Sequence, residues 1–410
     1  MNISIITVSN SEIISNEKND SIKLISSQLY KNGFQVVSSQ IIKSKSDIVA
    51  NSFKQALENS DCVIFISDNE FEKCYMCKKV ICDELKTKLV VNNFAKKNIE
   101  DFSKLQNVPL KKEDSSYCQL PEISRCIKNP SSAFQGFLLE KDSKVVFFLP
   151  LSYSELYHMF FASVLPYLLQ KANGKTNSAY VFKTFGIKNS EINLLLKDLI
   201  KNKHNIEVVC NEYLLGGEVL VNVPTSTKKD IVDNFIQTLY NKILPYIYAD
   251  TDSSYPELIQ SFLNINNRKL VFAEDFTCGR LTSIFYEKLL NAKDFLIEGY
   301  FTPTQQSKMK ILGVDSKIYK KSTIDDEEVA YQMALGALEN SGADVVVSNC
   351  GDLQSGDLVF AIGSSEGIHI YRQKVFGTYE QKIVMATNAI FFKLVKKLKK
   401  NDFHLGQFTV

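Results

Sequence analysis

The sequence predicts an α/β protein made of three domains in series. Short apolar runs of strand length alternate with longer segments of helical periodicity, and two polar stretches at 171–178 and 250–256 interrupt the alternation. At about 150 residues per domain, a chain of 410 residues with 45% hydrophobic residues can bury several cores. We therefore predict domains at 1–170, 176–249 and 256–400.

The first domain is predicted to hold a doubly wound sheet. Gly33 ends a helix that leads back into a strand, and Ser152 and Ser154 cap a later helix. The predicted elements are strands at 3–8, 34–38 and 62–67, helices at 22–31, 48–58 and 155–169, and a hairpin at 133–139 and 145–149. Strands that alternate with helices are joined by right-handed crossovers, so we expect a parallel sheet with helices on both faces.

The middle domain reads as a small α+β module, and the last domain returns to strand–helix alternation. The middle elements are strands at 179–186, 205–211, 216–223 and 243–248, with helices at 190–202 and 227–242. The last domain is predicted to have strands at 269–274, 294–301, 343–348, 358–363 and 367–374, and helices at 257–266, 277–290, 303–311, 324–340 and 379–399. We find no short repeat and no low-complexity segment.

Composition excludes several function classes. The net charge is +2, from 48 basic and 46 acidic residues, whereas nucleic-acid binders concentrate basic charge on one face. The lysine-rich run at 396–400 closes a predicted helix, where cations suit the helix dipole. Nine cysteines without a paired framework indicate a reducing compartment. Without an apolar membrane span or a secretory leader, we expect a cytoplasmic protein that binds neither nucleic acid nor membrane, and we predict no cofactor.

The most informative segment lies at 269–280. An apolar run at 270–273 predicts a buried strand that ends at Glu274 and meets Thr277, Cys278 and Gly279, which can open a helix. A strand that stops at a helix N-terminus places backbone N–H groups and a positive dipole end in one crevice. The sequence therefore predicts an anion or phosphate site with Glu274 and Gly279 among its residues.

This segment resembles the Ala-Glu-Ser-x-Thr-Gly-Gly signature of the C-terminal domain of the CinA family (competence/damage-inducible protein A). In that family the serine is the nucleophile of a nicotinamide mononucleotide deamidase. Asp275 stands at the serine position and Cys278 at the first glycine, while Lys308 falls at the family's lysine position. Collinear fragments extend the resemblance over the chain: Phe148-Leu-Pro150, Ser154-Glu-Leu156, Phe185-Gly-Ile187, Gly217-Glu-Val219, Leu312-Gly-Val314 and Met333-Ala334.

The resemblance implies a layout for the whole chain. It consists of a doubly wound molybdopterin-binding-like domain, a small α+β middle domain, and a three-layer α/β deamidase-like domain. It also implies a homodimer with a nucleotide or another small molecule as ligand. Two loops depart from the family pattern. The phosphate-binding loop of the first domain falls on 66–75, which lacks its glycines and carries Asp68, Glu70 and Glu72. The glycine-rich loop of the last domain falls on 348–353, where Ser348 and Gly351 remain as ligand-binding candidates.

Three residues are candidates for catalysis, and each has a structural alternative. Asp275 is either a carboxylate nucleophile or a solvated, helix-capping acid. Thr277 is either a substitute nucleophile activated by Lys308 or the N-cap of the following helix. Lys308 is either a retained site lysine or a surface lysine on an amphipathic helix. A hydroxyl close to the Lys308 ammonium would keep catalysis possible, whereas a pocket filled by Phe276 and Phe301 would not.

Cysteines 74, 77 and 82 leave a similar choice. The Cys74-x-x-Cys77 spacing suits half of a zinc site, but no second pair completes it. The alternative is a set of partly buried thiols on one helix, and we predict no metal.

Two functional hypotheses follow from the sequence. The first is a CinA-like protein whose catalytic residues have been replaced, leaving a non-catalytic or weakly active nucleotide-binding or scaffold protein. The alternative is an active amidohydrolase of pyridine-nucleotide salvage, which converts nicotinamide mononucleotide and water to nicotinate mononucleotide and ammonia with a relocated nucleophile.

Overall fold

A computed structural model describes residues 1–9, 16–107, 109, 117–201, 205–213, 216–320 and 324–400. The chain forms two compact units, the first built mainly from Met1–Ala179 and the second mainly from residues beyond Tyr180. Three sheets of four or more strands organise these residues.

The first unit contains a six-stranded sheet. Its strands are β1 (Asn2–Val8), β2 (Gln35–Ile42), β3 (Cys62–Ser67), β6 (Ser124–Ile127), β7 (Gly136–Lys141) and β8 (Lys144–Pro150), and a separate pair is formed by β4 (Leu89–Val91) and β5 (Gln119–Pro121). The strand order is β2-β1-β3-β8-β7-β6. The first four strands in this order are parallel. The predicted hairpin is formed by β7 and β8, and β6, which was not predicted, pairs antiparallel with β7 at the edge.

Helices cover both faces of this sheet, as predicted for a doubly wound domain. They are α1 (Asn16–Lys31), α2 (Ser46–Asn59), α3 (Phe71–Glu84), α4 (Asn93–Gln106), α5 (Tyr153–Met159) and α6 (Leu165–Ala172). Helices α2, α3 and α4 share one core with Ile6 and Phe65, and α1, α5 and α6 share the other with Ile5 and Ile64. A π-helical turn at Phe160–Val164 joins α5 to α6 where the sequence predicted one continuous helix.

A four-stranded sheet follows along the chain. It has the order β10-β11-β9-β12, and its elements are β9 (Ser178–Phe185), α7 (Asn189–Lys201), β10 (Glu207–Tyr213), β11 (Gly216–Val223), α8 (Lys229–Ile243) and β12 (Ile247–Ala249). These elements match the predicted α+β module. Contacts assign most of them to the second unit, so the separate middle domain stays a prediction.

The remaining residues form a five-stranded sheet between two helical layers. The elements are α9 (Tyr255–Ile265), β13 (Leu270–Glu274), α10 (Arg280–Lys288), β14 (Leu296–Phe301), α11 (Gln305–Leu312), α12 (Asp326–Ser341), β15 (Val345–Asp352), β16 (Asp357–Ser364), β17 (Gly367–Lys374) and α13 (Tyr379–Lys400). The order is β14-β13-β15-β16-β17, with the first three strands parallel. Helices α9, α10 and α13 pack on one face, and α12 packs on the other. The predicted three-layer α/β fold is therefore confirmed.

The structure corrects one helix start that bears on the site. The sequence predicted a helix from residue 277, but α10 begins at Arg280. Cys278 and Gly279 both have left-handed backbone conformations, with φ of 53° and 81°. A helix cannot run through such residues, so Thr277 lies in the preceding turn and its prediction as the helix N-cap is wrong.

Candidate functional site

The candidate site lies at the carboxyl end of β13. This strand is fully buried and pairs in parallel with β14 and β15. The carboxyl ends of parallel strands meet at the same edge of a sheet, where α/β proteins place their ligands. Glu274, the last residue of β13, and Asp275, the residue after it, therefore stand where the sequence predicted a crevice.

Glu274 fills the anion position that the sequence predicted. Its buried carboxylate accepts hydrogen bonds from the backbone N–H groups of Leu281 and Thr282, each at 2.9 Å. The hydroxyls of Thr277 and Thr282 donate two more, each at 2.7 Å. A carboxylate at a helix N-terminus satisfies the free N–H groups and complements the dipole. The protein's own side chain thus occupies the place predicted for an external anion.

Thr277 is buried within this hydrogen-bond network. The residue is fully buried, and its hydroxyl donates to Glu274 and accepts a hydrogen bond from Asn349 Nδ2 at 2.9 Å. Its backbone N–H donates to Asn349 Oδ1 at 3.0 Å. Asn349 on β15 is itself fully buried, and sequence reasoning missed it. The available signal was a polar residue inside an otherwise apolar strand.

Asp275 and Lys308 form an ion pair. Lys308 Nζ lies 2.6 Å from Asp275 Oδ2, and the two side chains are 8% and 20% exposed. Lys308 lies on α11, whose first turn is capped by Thr304. The interpretations of Asp275 as a solvated or helix-capping acid and of Lys308 as a surface lysine are therefore wrong. The sequence-predicted partner of Lys308 was a hydroxyl, and the structure places a carboxylate there.

Phe276 and Phe301 do not together fill a closed pocket. Phe276 packs into the core that α9, α10 and α13 share, and the Phe301 side chain is 52% exposed.

Further ionisable groups surround the pair. Burial raises the pKa of the Asp275 carboxyl, Lys308 opposes that rise, and Asp326 adds to it. Burial likewise raises the pKa of Asp326, with Lys308 again acting to lower it. We call Asp275, Lys308, Tyr319, Asp326 and Cys350 the Lys308 cluster, because electrostatic interactions connect all five. The cluster sets two carboxyl groups against one cation.

The thiol and the phenol of this cluster stay neutral near pH 7. Burial raises the pKa of the Cys350 thiol well above its ordinary value, and Asp326 and Asp275 raise it further. The thiol donates to the backbone carbonyl oxygen of Asp326. Burial, with the nearby Cys350 and Asp275, raises the pKa of Tyr319 to about 12. Neither group is therefore an activated nucleophile.

The other ligand-binding candidates have structural roles. Ser348 is fully buried, and its hydroxyl donates to the Ala330 carbonyl oxygen at 2.5 Å. Gly351 pairs with Leu358, and at its φ of 125° a Cβ atom would lie 2.0 Å from the Asp357 carbonyl oxygen. Both belong to β15, so the loop expected at 348–353 is largely strand. Gly279 supplies the left-handed turn before α10.

Comparison with known proteins gives a match in the second unit and relatives along most of the chain. Residues 252–398 match the CinA C-terminal domain. A competence-damage inducible protein of Caldicellulosiruptor saccharolyticus is 28% identical over 305 residues, which is 72% of each chain. Another, from Clostridium botulinum, is 25% identical over 359 residues, or 86% of each chain. Residues 252–398 therefore form a CinA C-terminal domain.

The family predicted from the sequence is thus confirmed, and we call residues 252–398 the CinA domain. Among solved structures, the competence-damaged protein (CinA) superfamily protein of Klebsiella pneumoniae shares 21% identity, with a TM-score of 0.34. It covers 36% of this chain and 99% of that one.

A cavity of about 650 Å³ opens beside Asp326 in the CinA domain. It is lined by Ile324, Asp325, Asp326, Asp357, Leu358, Val359, Arg372, Gln373 and Lys374. Its two cations are already paired, since Arg372 contacts Glu327 and Lys374 lies 2.7 Å from Asp357.

The corresponding crevice of the first unit is also filled by protein side chains. After β3, the buried Asp68 accepts a hydrogen bond from the Ser9 hydroxyl at 2.9 Å. The carboxylate of Glu155 accepts hydrogen bonds from Asn69 at 3.1 Å, from Asn129 at 2.7 Å and from Ser132 at 3.0 Å. Asp68 and Asn69 belong to the 66–75 segment, where the sequence resemblance had placed a phosphate-binding loop.

Cysteines 74, 77 and 82 lie on α3 and are buried. Burial raises the pKa of all three thiols, to about 12 for Cys77 and about 11 for Cys82. Within the ranges that the structure describes, no group of three or more His, Cys, Asp or Glu side chains could hold a metal ion. Across the same ranges, no helix has the length and apolar character needed to span a membrane.

Proposed function

We propose that this chain is a CinA-like scaffold whose CinA domain has no amidohydrolase activity. The observation that carries the proposal is the ion pair between Asp275 and Lys308. The residue at the nucleophile position is a carboxylate, and the lysine that could have activated a hydroxyl is bound to it.

Asp275, Thr277 and Cys350 do not offer a substitute nucleophile. A carboxylate that attacked an amide would form an anhydride, which is a poor route to deamidation. The Thr277 hydroxyl is buried and already bonded to Glu274 and Asn349. The raised pKa of Cys350 keeps its thiol protonated. An active amidohydrolase with a relocated nucleophile is therefore the less favoured function.

The geometry also favours a scaffold over a nucleotide-binding protein. Glu274 occupies the helix N-terminus that could have received a phosphate, and Glu155 lies in the matching crevice of the first unit. A phosphate brought to either place would meet a buried carboxylate. As part of the proposal, and by analogy with the family, we place the protein in the cytoplasm as a homodimer.

The test is an ammonia-release assay with nicotinamide mononucleotide and the purified full chain. A family member that retains the signature serine serves as the positive control. We expect no release above the substrate blank. Turnover by the wild-type chain that disappears in Lys308→Ala would overturn the proposal.

A gain-of-function variant tests the stated cause. Asp275→Ser returns a hydroxyl to the position beside Lys308, so we expect weak ammonia release that is lost again in Asp275→Ser/Lys308→Ala. A thermal-shift screen of nucleotides and pterins tests the scaffold assignment, and a shift of several degrees with any of them would favour a binding function instead.

A further inference from the structure

We propose that Lys308 and Asp275 are joined by an isopeptide bond, which cross-links α11 to the turn that follows β13. Lys308 Nζ lies 2.6 Å from Asp275 Oδ2, and both side chains are largely shielded from water. At this distance the amine and the carboxyl group are in direct contact, as condensation requires.

The two groups are held on rigid elements. Asp275 directly follows β13, the middle one of three parallel strands. Its backbone N–H donates to the Asn349 carbonyl oxygen at 3.1 Å. Lys308 sits in the second turn of α11, with its backbone N–H bonded to the Thr304 carbonyl oxygen at 3.0 Å. Well-oriented intramolecular reactants reach effective concentrations on the order of 10⁵ M or more. Such an increase can make a slow condensation complete within the lifetime of a protein.

Burial also favours the product. A buried ion pair loses the hydration of two charges, and their attraction only partly restores that free energy. Condensation replaces both charges with a neutral amide. The reaction starts from a neutral amine and a carboxylic acid, and burial raises the pKa of Asp275, which favours its acid form.

The condensation balances with the groups that the pair itself supplies. The Lys308 nitrogen attacks Asp275 Cγ and forms the C–N bond. The proton that this nitrogen loses passes to the departing hydroxyl of Asp275. The C–O bond breaks and one water molecule leaves, with no change in oxidation state.

This inference does not depend on the proposed function. A cross-link would remove Lys308 from any chemistry, whereas a chain without the cross-link would still lack the serine nucleophile. The two proposals therefore fail in different experiments.

Intact mass spectrometry of the purified full chain tests the cross-link. After prolonged incubation of the folded protein and subsequent denaturation, we expect a mass lower than the sequence mass by one water molecule. Trypsin should then fail to cut after Lys308 and should yield a branched peptide that contains both residues 275 and 308. A mass equal to the sequence mass, with normal cleavage after Lys308, would overturn the proposal.

Variants separate the cross-link from other losses of water. Lys308→Arg keeps the charge but cannot condense in this way, so its mass should equal its sequence mass. Asp275→Asn should lose one ammonia molecule instead of water. A retained water deficit in Lys308→Arg would place the modification elsewhere and contradict the assignment.

Discussion

The two crevices of this protein are closed by different chemistry. In the first unit, Glu155 accepts hydrogen bonds from two amides and one hydroxyl, all of them neutral. In the CinA domain, Glu274 receives backbone and hydroxyl donors at a helix N-terminus, while Asp275 is held by the Lys308 cation. A carboxylate with several neutral donors loses one hydrogen bond when a donor is removed. Removing one partner of a buried ion pair leaves an uncompensated charge. Substitutions in the crevice of the CinA domain should therefore reduce stability more than substitutions in the crevice of the first unit.

The largest effect is expected from Lys308→Met. The substitution keeps much of the side-chain volume but leaves the Asp275 carboxyl buried without its partner, whether that partner is held as an ion pair or by the proposed cross-link. The free energy of unfolding of the CinA domain should therefore fall by roughly 2–4 kcal/mol. Urea denaturation followed by hydrogen exchange of peptides from this domain measures the loss. Lys310→Met, at an exposed position of the same helix, is the control and should change stability little. Equal losses in the two variants would contradict the role of the pair.

Glu274→Gln should come next. The amide offers one acceptor oxygen in place of two and turns an N–H₂ group toward donors, so we expect a loss of about 2–3 kcal/mol. The control Glu287→Gln changes the same residue type at an exposed position of α10. Hydrogen exchange at the first turn of α10 should increase in Glu274→Gln alone. Unchanged protection of this turn would show that Glu274 does not cap the helix.

Glu155→Gln should have a smaller effect, which sharpens the comparison of the two crevices. Its donors are neutral, and glutamine retains an acceptor oxygen, so we expect a loss of about 1 kcal/mol in the first unit. The same denaturation experiment, read on peptides of the first unit, gives the value. A loss as large as that of Lys308→Met would mean that the neutral network stabilises its crevice as strongly as the ion pair.

The smallest effect concerns pH. Because burial raises the pKa of Asp326, the folded state holds a proton that the unfolded chain has already released. The free energy of unfolding of wild type, relative to Asp326→Asn, should therefore fall as pH rises from the ordinary aspartate value through the raised one.

Asp352 supplies the opposite control. Backbone and side-chain hydrogen bonds from Gln354 and Ser355 lower the pKa of Asp352. Its stabilising contribution is present above the unfolded pKa and is lost as pH falls, so Asp352→Asn should give a slope of opposite sign. Urea denaturation at several pH values measures both, and slopes of the same sign would contradict the stated burial of Asp326.

Much of the fold follows from local pattern. Apolar runs such as Val271–Ala273 predicted the strands. The polar stretch at 171–178 lies next to the boundary between the two compact units. The start of α10 was missed because Cys278 takes a left-handed conformation that cysteine rarely adopts. The prediction of a loop near Ser348 was wrong because β15 extends further than its apolar run, through Asn349 to Asp352.

The sequence by itself determined the resemblance to the CinA family, the order of strands and helices, and the absence of a serine at position 275. Only the tertiary structure decided what the replacing residues do. Asp275 and Lys308 are 33 residues apart, and Thr277 and Asn349 are 72 apart. Periodicity reports neighbours along a helix or strand, but these contacts arise where crossovers bring separate strand ends to one edge of a sheet. For that reason the ion pair that defines this site appears only in the folded chain.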